Sequence, residues 1–121
     1  MMTRVDKKTE KFISKYLGQD TAGKGEDIFD MIAESKGANK MIIARVIRQM
    51  DYEEFLSTPY WRLVARQVKR SAHWQCQECG SHTNLVAHHV HYRLHGYEMY
   101  RAKELQCLCR ECHERHHGLR A

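Results

Sequence analysis

Apolar positions recur at helical spacing through the first part of the chain, and then the rhythm changes. Phe12, Ile13, Tyr16 and Leu17 share one side of a helix expected over residues 9–17, after a polar start, 1–8, expected to fray. Residues 18–25, rich in Gly, Asp and Thr, read as a loop. A second helix is expected over 27–35, with acidic Glu26 and Asp27 at its start and Gly37 just past its end. A third spans 39–50, with Met41, Ile42, Val46 and Met50 among its buried candidates. In the segment 51–72, Thr58 is placed to cap a helix and Pro59 to open it, where its missing N–H costs nothing. Trp61, Val64, Ala65, Val68 and Ala72 form an apolar stripe on that helix, with a basic stripe of Arg62, Arg66, Lys69, Arg70 and His73 beside it. Beyond it the pattern shortens. Residues 85–90 read as a strand, and Cys109-x2-Cys112 opens a last helix through Glu114 and His117. The fold class is therefore α+β: a helical N-terminal region, 1–50, followed by a mixed module with a leading helix, 51–121.

The second and third helices raise one functional possibility. Ala33, Gly37, Ile43 and Val46 stand at about the offsets of a helix-turn-helix, and the third helix would then present Asn39, Lys40, Arg45, Arg48 and Gln49 to DNA. Lys36, however, falls where that motif wants an apolar residue. Short helix pairs joined by glycine are common, so a plain packing bundle is the preferred reading.

Charge and composition narrow the partners. The 121 residues carry a net charge of +5 and a pI near 9.0, which suits a polyanion. The basic stripe is then a candidate phosphate contact, against the plainer alternative of a solvated face. No apolar run is long enough to span a bilayer, so a membrane is not an expected partner. All nine histidines and all five cysteines lie between His73 and His117. The last fifty residues are poor in large aliphatic side chains, so a metal staple is expected to supplement a thin core. Five cysteines at metal-site spacings, with nothing ahead of them that reads as a signal peptide, point to reduced thiolates in a cytoplasmic setting.

The spacing assigns that metal. Cys76-x2-Cys79-Gly80 is a zinc knuckle: two thiolates on a tight turn closed by a glycine that takes positive φ. Cys109-x2-Cys112 supplies the second pair, and four thiolates close a tetrahedral structural zinc. Cys107 is left over and reads as a small hydrophobe. On the last helix His113 and His117 share a face, about 100–140° around from Cys112, while His116 lies about 40° from it. One side of the helix can hold zinc while the next presents imidazoles to a second metal. The alternative, in which His113 or His116 replaces a thiolate, stays open. His88 and His89, adjacent on a strand, point to opposite faces and cannot share a role. One can join a metal while the other stays free as a base, which is what phosphodiester hydrolysis needs.

These pieces carry a resemblance. YEEFLSTPYW, CQECG, LVAHHVHY, Gly96-x-Glu98 and ELQCLCRECHERHH occur in the order seen in zinc-bearing HNH endonucleases, over residues 52–117. The resemblance implies a ββα-metal fold, a hairpin carrying the doubled histidine followed by a helix with the last ligand. It also implies cleavage of DNA with one divalent ion (Mg, Mn, Ni or Zn) besides the structural zinc. It makes His89 the general base, His88 a metal-ligand position, and His113 the final histidine, with His117 as a second helix ligand. The chain departs from the family at Glu104, where an asparagine is expected; its carboxylate would ligate the ion directly or orient His89. Arg93, with His91, His95 and Arg101, lies between the strand and the final helix and is a candidate phosphate contact, against the plainer and, for each residue singly, preferred reading of an ordinary surface residue. Two alternatives remain: a non-catalytic, zinc-scaffolded DNA-binding or regulatory protein, and a nuclease directed at RNA.

Overall fold

The computed structural model describes residues 5–18, 27–90 and 92–116. Six helices and one two-stranded antiparallel sheet make up those residues. The helices are α1 (Lys7–Tyr16), α2 (Ile28–Glu34), α3 (Lys40–Gln49), α4 (Tyr52–Leu56), α5 (Pro59–Ser71) and α6 (Arg110–His116); the strands are β1 (Leu85–His89) and β2 (Leu105–Cys109). Helix starts are set by side chains that accept otherwise orphaned N–H groups. Asp6 accepts from Thr9, so α1 begins at Lys7, inside the stretch expected to fray. Asp27 and Asp30 form a reciprocal capping box at α2, and Asn39 accepts from Met41 and Ile42 at α3. Thr58 caps α5, with Pro59 in its first turn, as the sequence indicates. The segment 51–72 is two helices, because the Thr58–Pro59 start forces a break after α4.

The described residues on both sides of position 50 share one hydrophobic cluster. Phe12, Tyr16, Met31, Ile43 and Ile47 pack with Phe55, Tyr60, Trp61, Val64, Leu105 and Cys107. The helices α1, α2 and α3 are thus packed into the same core as the sheet. The glycine turn between α2 and α3 is present, with Gly37 at φ +84°. Arg48 is turned to the protein itself: Nε donates to the His95 carbonyl at 2.8 Å and Nη2 to that of Arg93 at 3.3 Å. Where α3 crosses the same loop, Gly96 has φ +106°, and a Cβ there would lie 3.0 Å from that of Ala44. Such contacts favour the packing account of α3.

In the sheet, β1 pairs with β2 in the register Leu85↔Cys109, Ala87↔Cys107 and His89↔Leu105. Three short 3₁₀ turns, Tyr92–Leu94, Glu98–Tyr100 and Ala102–Glu104, lie on the long connection between the strands. β2 then runs directly into α6. α5 packs on the sheet and α6 contacts both strands. The result is a mixed fold, helices with a small two-stranded sheet and a four-cysteine cluster.

Candidate functional site

The cysteine cluster is built by the turn after α5 and the junction of β2 with α6. Gly80, at φ +81°, donates to the Cys76 carbonyl at 2.9 Å, and Cys76 N–H donates to Ser81 O at 2.7 Å. The turn aims the N–H groups of Glu78 and Cys79 at Cys76 Sγ, both at 3.4 Å. The Sγ atoms of Cys76, Cys79, Cys109 and Cys112 all lie within 4.8 Å of one another, and Cys79 to Cys109 is 3.7 Å. A tetrahedron with bonds of about 2.3 Å has edges of about 3.8 Å, so the set fits zinc. Burial alone would raise the Cys76 thiol, but the N–H groups of Cys79, Cys109 and Glu78 outweigh it and lower it to about 6. Burial and crowding by its three neighbours push Cys112 up to about 12. Four thiols this close resist ionising together unless a cation joins them.

Cys107 is not in this group. It is fully buried in the main core, its N–H donating to Gln77 Oε1 at 2.8 Å and its carbonyl accepting from Gln77 N at 2.9 Å. His116 also stays outside the cage and is bonded to Glu78, whose carboxyl it holds below its usual range.

The strand separates the paired histidines, as alternation requires. The His88 ring lies 5.1 Å from that of His113 and 5.4 Å from that of His116, toward α6. His89 turns the other way. Its ring stacks on Trp61 at 5.1 Å and 10°, and its side chain is 7% exposed. His89 Nε2 is 2.9 Å from Glu98 Oε2, and His95 Nδ1 is 2.8 Å from the same oxygen. Gly96 N–H at 2.9 Å and Tyr60 O–H at 3.2 Å both donate to Glu98 Oε1. Phe55 meets the His95 ring edge-on at 4.7 Å. Glu98 is 0% exposed. Burial opposes its ionisation, but hydrogen bonds from His89 and His95 outweigh that and hold the carboxyl at about 2. Burial beside this carboxylate drives the Tyr60 hydroxyl well above its ordinary value.

An ionised carboxylate only accepts hydrogen bonds. His89 Nε2 and His95 Nδ1 therefore carry the hydrogens, and the lone pair of neutral His89 resides on Nδ1. The ligand atoms of His89, His95 and Glu98 also lie within 4.8 Å of one another, a donor set compatible with a cation.

Two expectations need correcting. His89 is not left free, because Glu98 and Trp61 fix it. Nor is Glu104 the carboxylate that orients it: Glu104 ends the last 3₁₀ turn, half-buried, in an ion pair with Arg101. Glu98 was visible in the sequence only as the second half of the Gly96-x-Glu98 pattern. The four donors that define it come from positions scattered between 60 and 96.

Comparison with family models, with curated proteins and with solved structures gives no match. Of the remaining candidates, Arg62, Arg66 and Arg70 are exposed along α5, Lys69 is half-buried and Arg93 is exposed. His91 and His117 lie outside the described residues. No helix among those residues is long and apolar enough to cross a membrane.

Proposed function

We propose that this protein is a metal-dependent endonuclease of the HNH type that hydrolyses phosphodiester bonds in DNA. The observation that carries the reading is the hairpin leading straight into α6, with His88 against His113 on one face and His89 bound to Glu98 on the other. His88 and His113, with His117, are the proposed holders of the divalent ion, and the four cysteines hold structural zinc. The ion, when bound, supplies charge neutralisation at the scissile phosphate and leaving oxygen. His89 accepts a proton from the attacking water at Nδ1. Glu98 fixes the tautomer that leaves this nitrogen basic, and its charge stabilises the imidazolium that forms. Arg62, Arg66, Lys69, Arg70 and Arg93 bind backbone phosphates. Glu104, engaged by Arg101, is given no step.

A second reading, a non-catalytic DNA binder on the same scaffold, is favoured by one observation: His89 is nearly enclosed between Trp61 and Glu98. Cleavage of supercoiled plasmid with Mg, Mn, Ni or Zn separates the two. The wild-type protein should cut. His89→Gln, which keeps an N–H for Glu98 but has no basic nitrogen, should lose about 10²–10⁴ in rate while keeping zinc and DNA affinity. His113→Ala should also lose cleavage, and excess ion should partly restore it. Plasmid left intact by the wild-type protein with every metal would remove the nuclease reading in favour of the binder.

A further inference from the structure

The backbone just after α5 is held in an unusual conformation. His73 and Trp74 both have positive φ, 56° and 58°, and neither is glycine. For a residue as bulky as tryptophan this region is a steric outlier, kept only where the surroundings over-determine it. Here they do. His73 N–H donates to the Arg70 carbonyl at 3.0 Å and Trp74 N–H to that of Lys69 at 2.9 Å. The Trp74 carbonyl is 3.0 Å from His82 Nδ1, which must donate because a carbonyl only accepts, and His82 Nε2 is 3.2 Å from Gln75 Nε2. The strained turn is locked at both ends, yet the indole it carries is 47% exposed.

The approach to Trp74 is basic. Arg62, Arg66 and Arg70 are exposed at four-residue intervals on one face of α5, and the Trp74 N–H, bonded to the Lys69 carbonyl, seats residue 74 against the C-terminal end of that helix. A row of guanidinium groups on the helix that leads to an exposed, rigidly held aromatic ring suits the tracking of a phosphate backbone and the stacking of a base.

We propose that Trp74 is a stacking platform for an unpaired nucleobase of a DNA strand whose phosphates lie along Arg62, Arg66 and Arg70. The inference rests on the nucleic-acid reading above but not on catalysis. Stacking needs an exposed base face, so it acts on single-stranded or locally opened DNA rather than on intact duplex.

The test uses the full-length zinc-loaded protein without added divalent metal and a short fluorescein-labelled oligonucleotide, as single strand and as blunt duplex. The protein has two tryptophans, and Trp61 is buried, so changes in indole emission on binding report chiefly Trp74. Saturable quenching is expected with the single strand. Trp74→Phe should keep affinity, read by anisotropy, and lose that quenching. Trp74→Ala should weaken single-strand binding by about fivefold to hundredfold and duplex binding much less. Wild-type affinity for the single strand in Trp74→Ala overturns the stacking proposal alone. Absence of binding by wild-type protein to either form overturns the nucleic-acid reading with it.

Discussion

The cysteine cage and the Glu98 cluster face the same difficulty, charge in a poorly hydrated place, and meet it differently. In the cage every ligand atom is a thiol, and the N–H groups that reach the four sulfurs are shared among them: those of Glu78, Cys79 and Cys109 at Cys76, that of Ser81 at Cys79, and Arg115 Nη2 at Cys112. Four such thiols are suited to a metal ion such as zinc. Glu98 instead receives four hydrogen bonds from α5, β1 and the loop between the strands. A carboxylate so satisfied is stable without an ion. One cluster is suited to a metal ion, while the other is satisfied by the fold itself.

Removing the metal should have the largest effect. Chelation, Cys76→Ala or Cys112→Ala should unfold the module after α5, since structural zinc sites contribute about 10–16 kcal/mol in small zinc-dependent folds. Zinc content with thermal unfolding checks this, and a metal-free protein that melts like the native one would break the contrast.

Glu98→Ala comes next. It leaves four buried donors without their acceptor and should cost about 3–5 kcal/mol with zinc still bound. The same cluster has a pH signature. Its folded-state pKa of about 2 lies below the ordinary 4.5, so its contribution is complete above the latter value and lost as pH falls toward the former. That contribution is on the order of 3 kcal/mol. Acid also releases zinc, so the measurement is urea unfolding across that window for wild type against Glu98→Gln. Parallel curves would show that the carboxylate charge contributes nothing.

Gly96→Ala should cost about 1–3 kcal/mol, because its φ of +106° is strained for alanine and the methyl meets Ala44 at 3.0 Å. It should spare zinc affinity, which confines the damage to one cluster. The smallest effect is a gain: His73→Gly, at φ 56°, should stabilise the protein by about 1 kcal/mol in urea unfolding.

Much of this was legible from local signals. Thr58 before Pro59 announced the start of α5, the two C-x2-C pairs announced the cage, and adjacency on a strand separated His88 from His89. All three rest on interactions a few residues long or on fixed periodicity. Glu98 was obscure for the opposite reason: its partners come together only in the tertiary fold. Glu104 drew the attention because it stands in a motif position beside β2, yet Arg101, three residues away, engages it at the surface. The boundary drawn at residue 50 follows a difference in chemistry, the absence of His and Cys before His73. The core does not respect it, as the packing of Ile43 and Ile47 with Phe55 and Tyr60 shows.

The pairing of Gln77 with Cys107 bears on solubility. β2 has β1 along one side only, and on its other side Gln77 both donates to and accepts from Cys107. The knuckle thus shields a strand edge whose sequence, Leu105-Gln106-Cys107-Leu108-Cys109, carries no charge and no proline. Loss of zinc would lift that shield as well as loosening the fold. The uncovered edge is a template for strand addition by another chain, so metal-depleted protein should self-associate in a concentration-dependent way before it is fully unfolded.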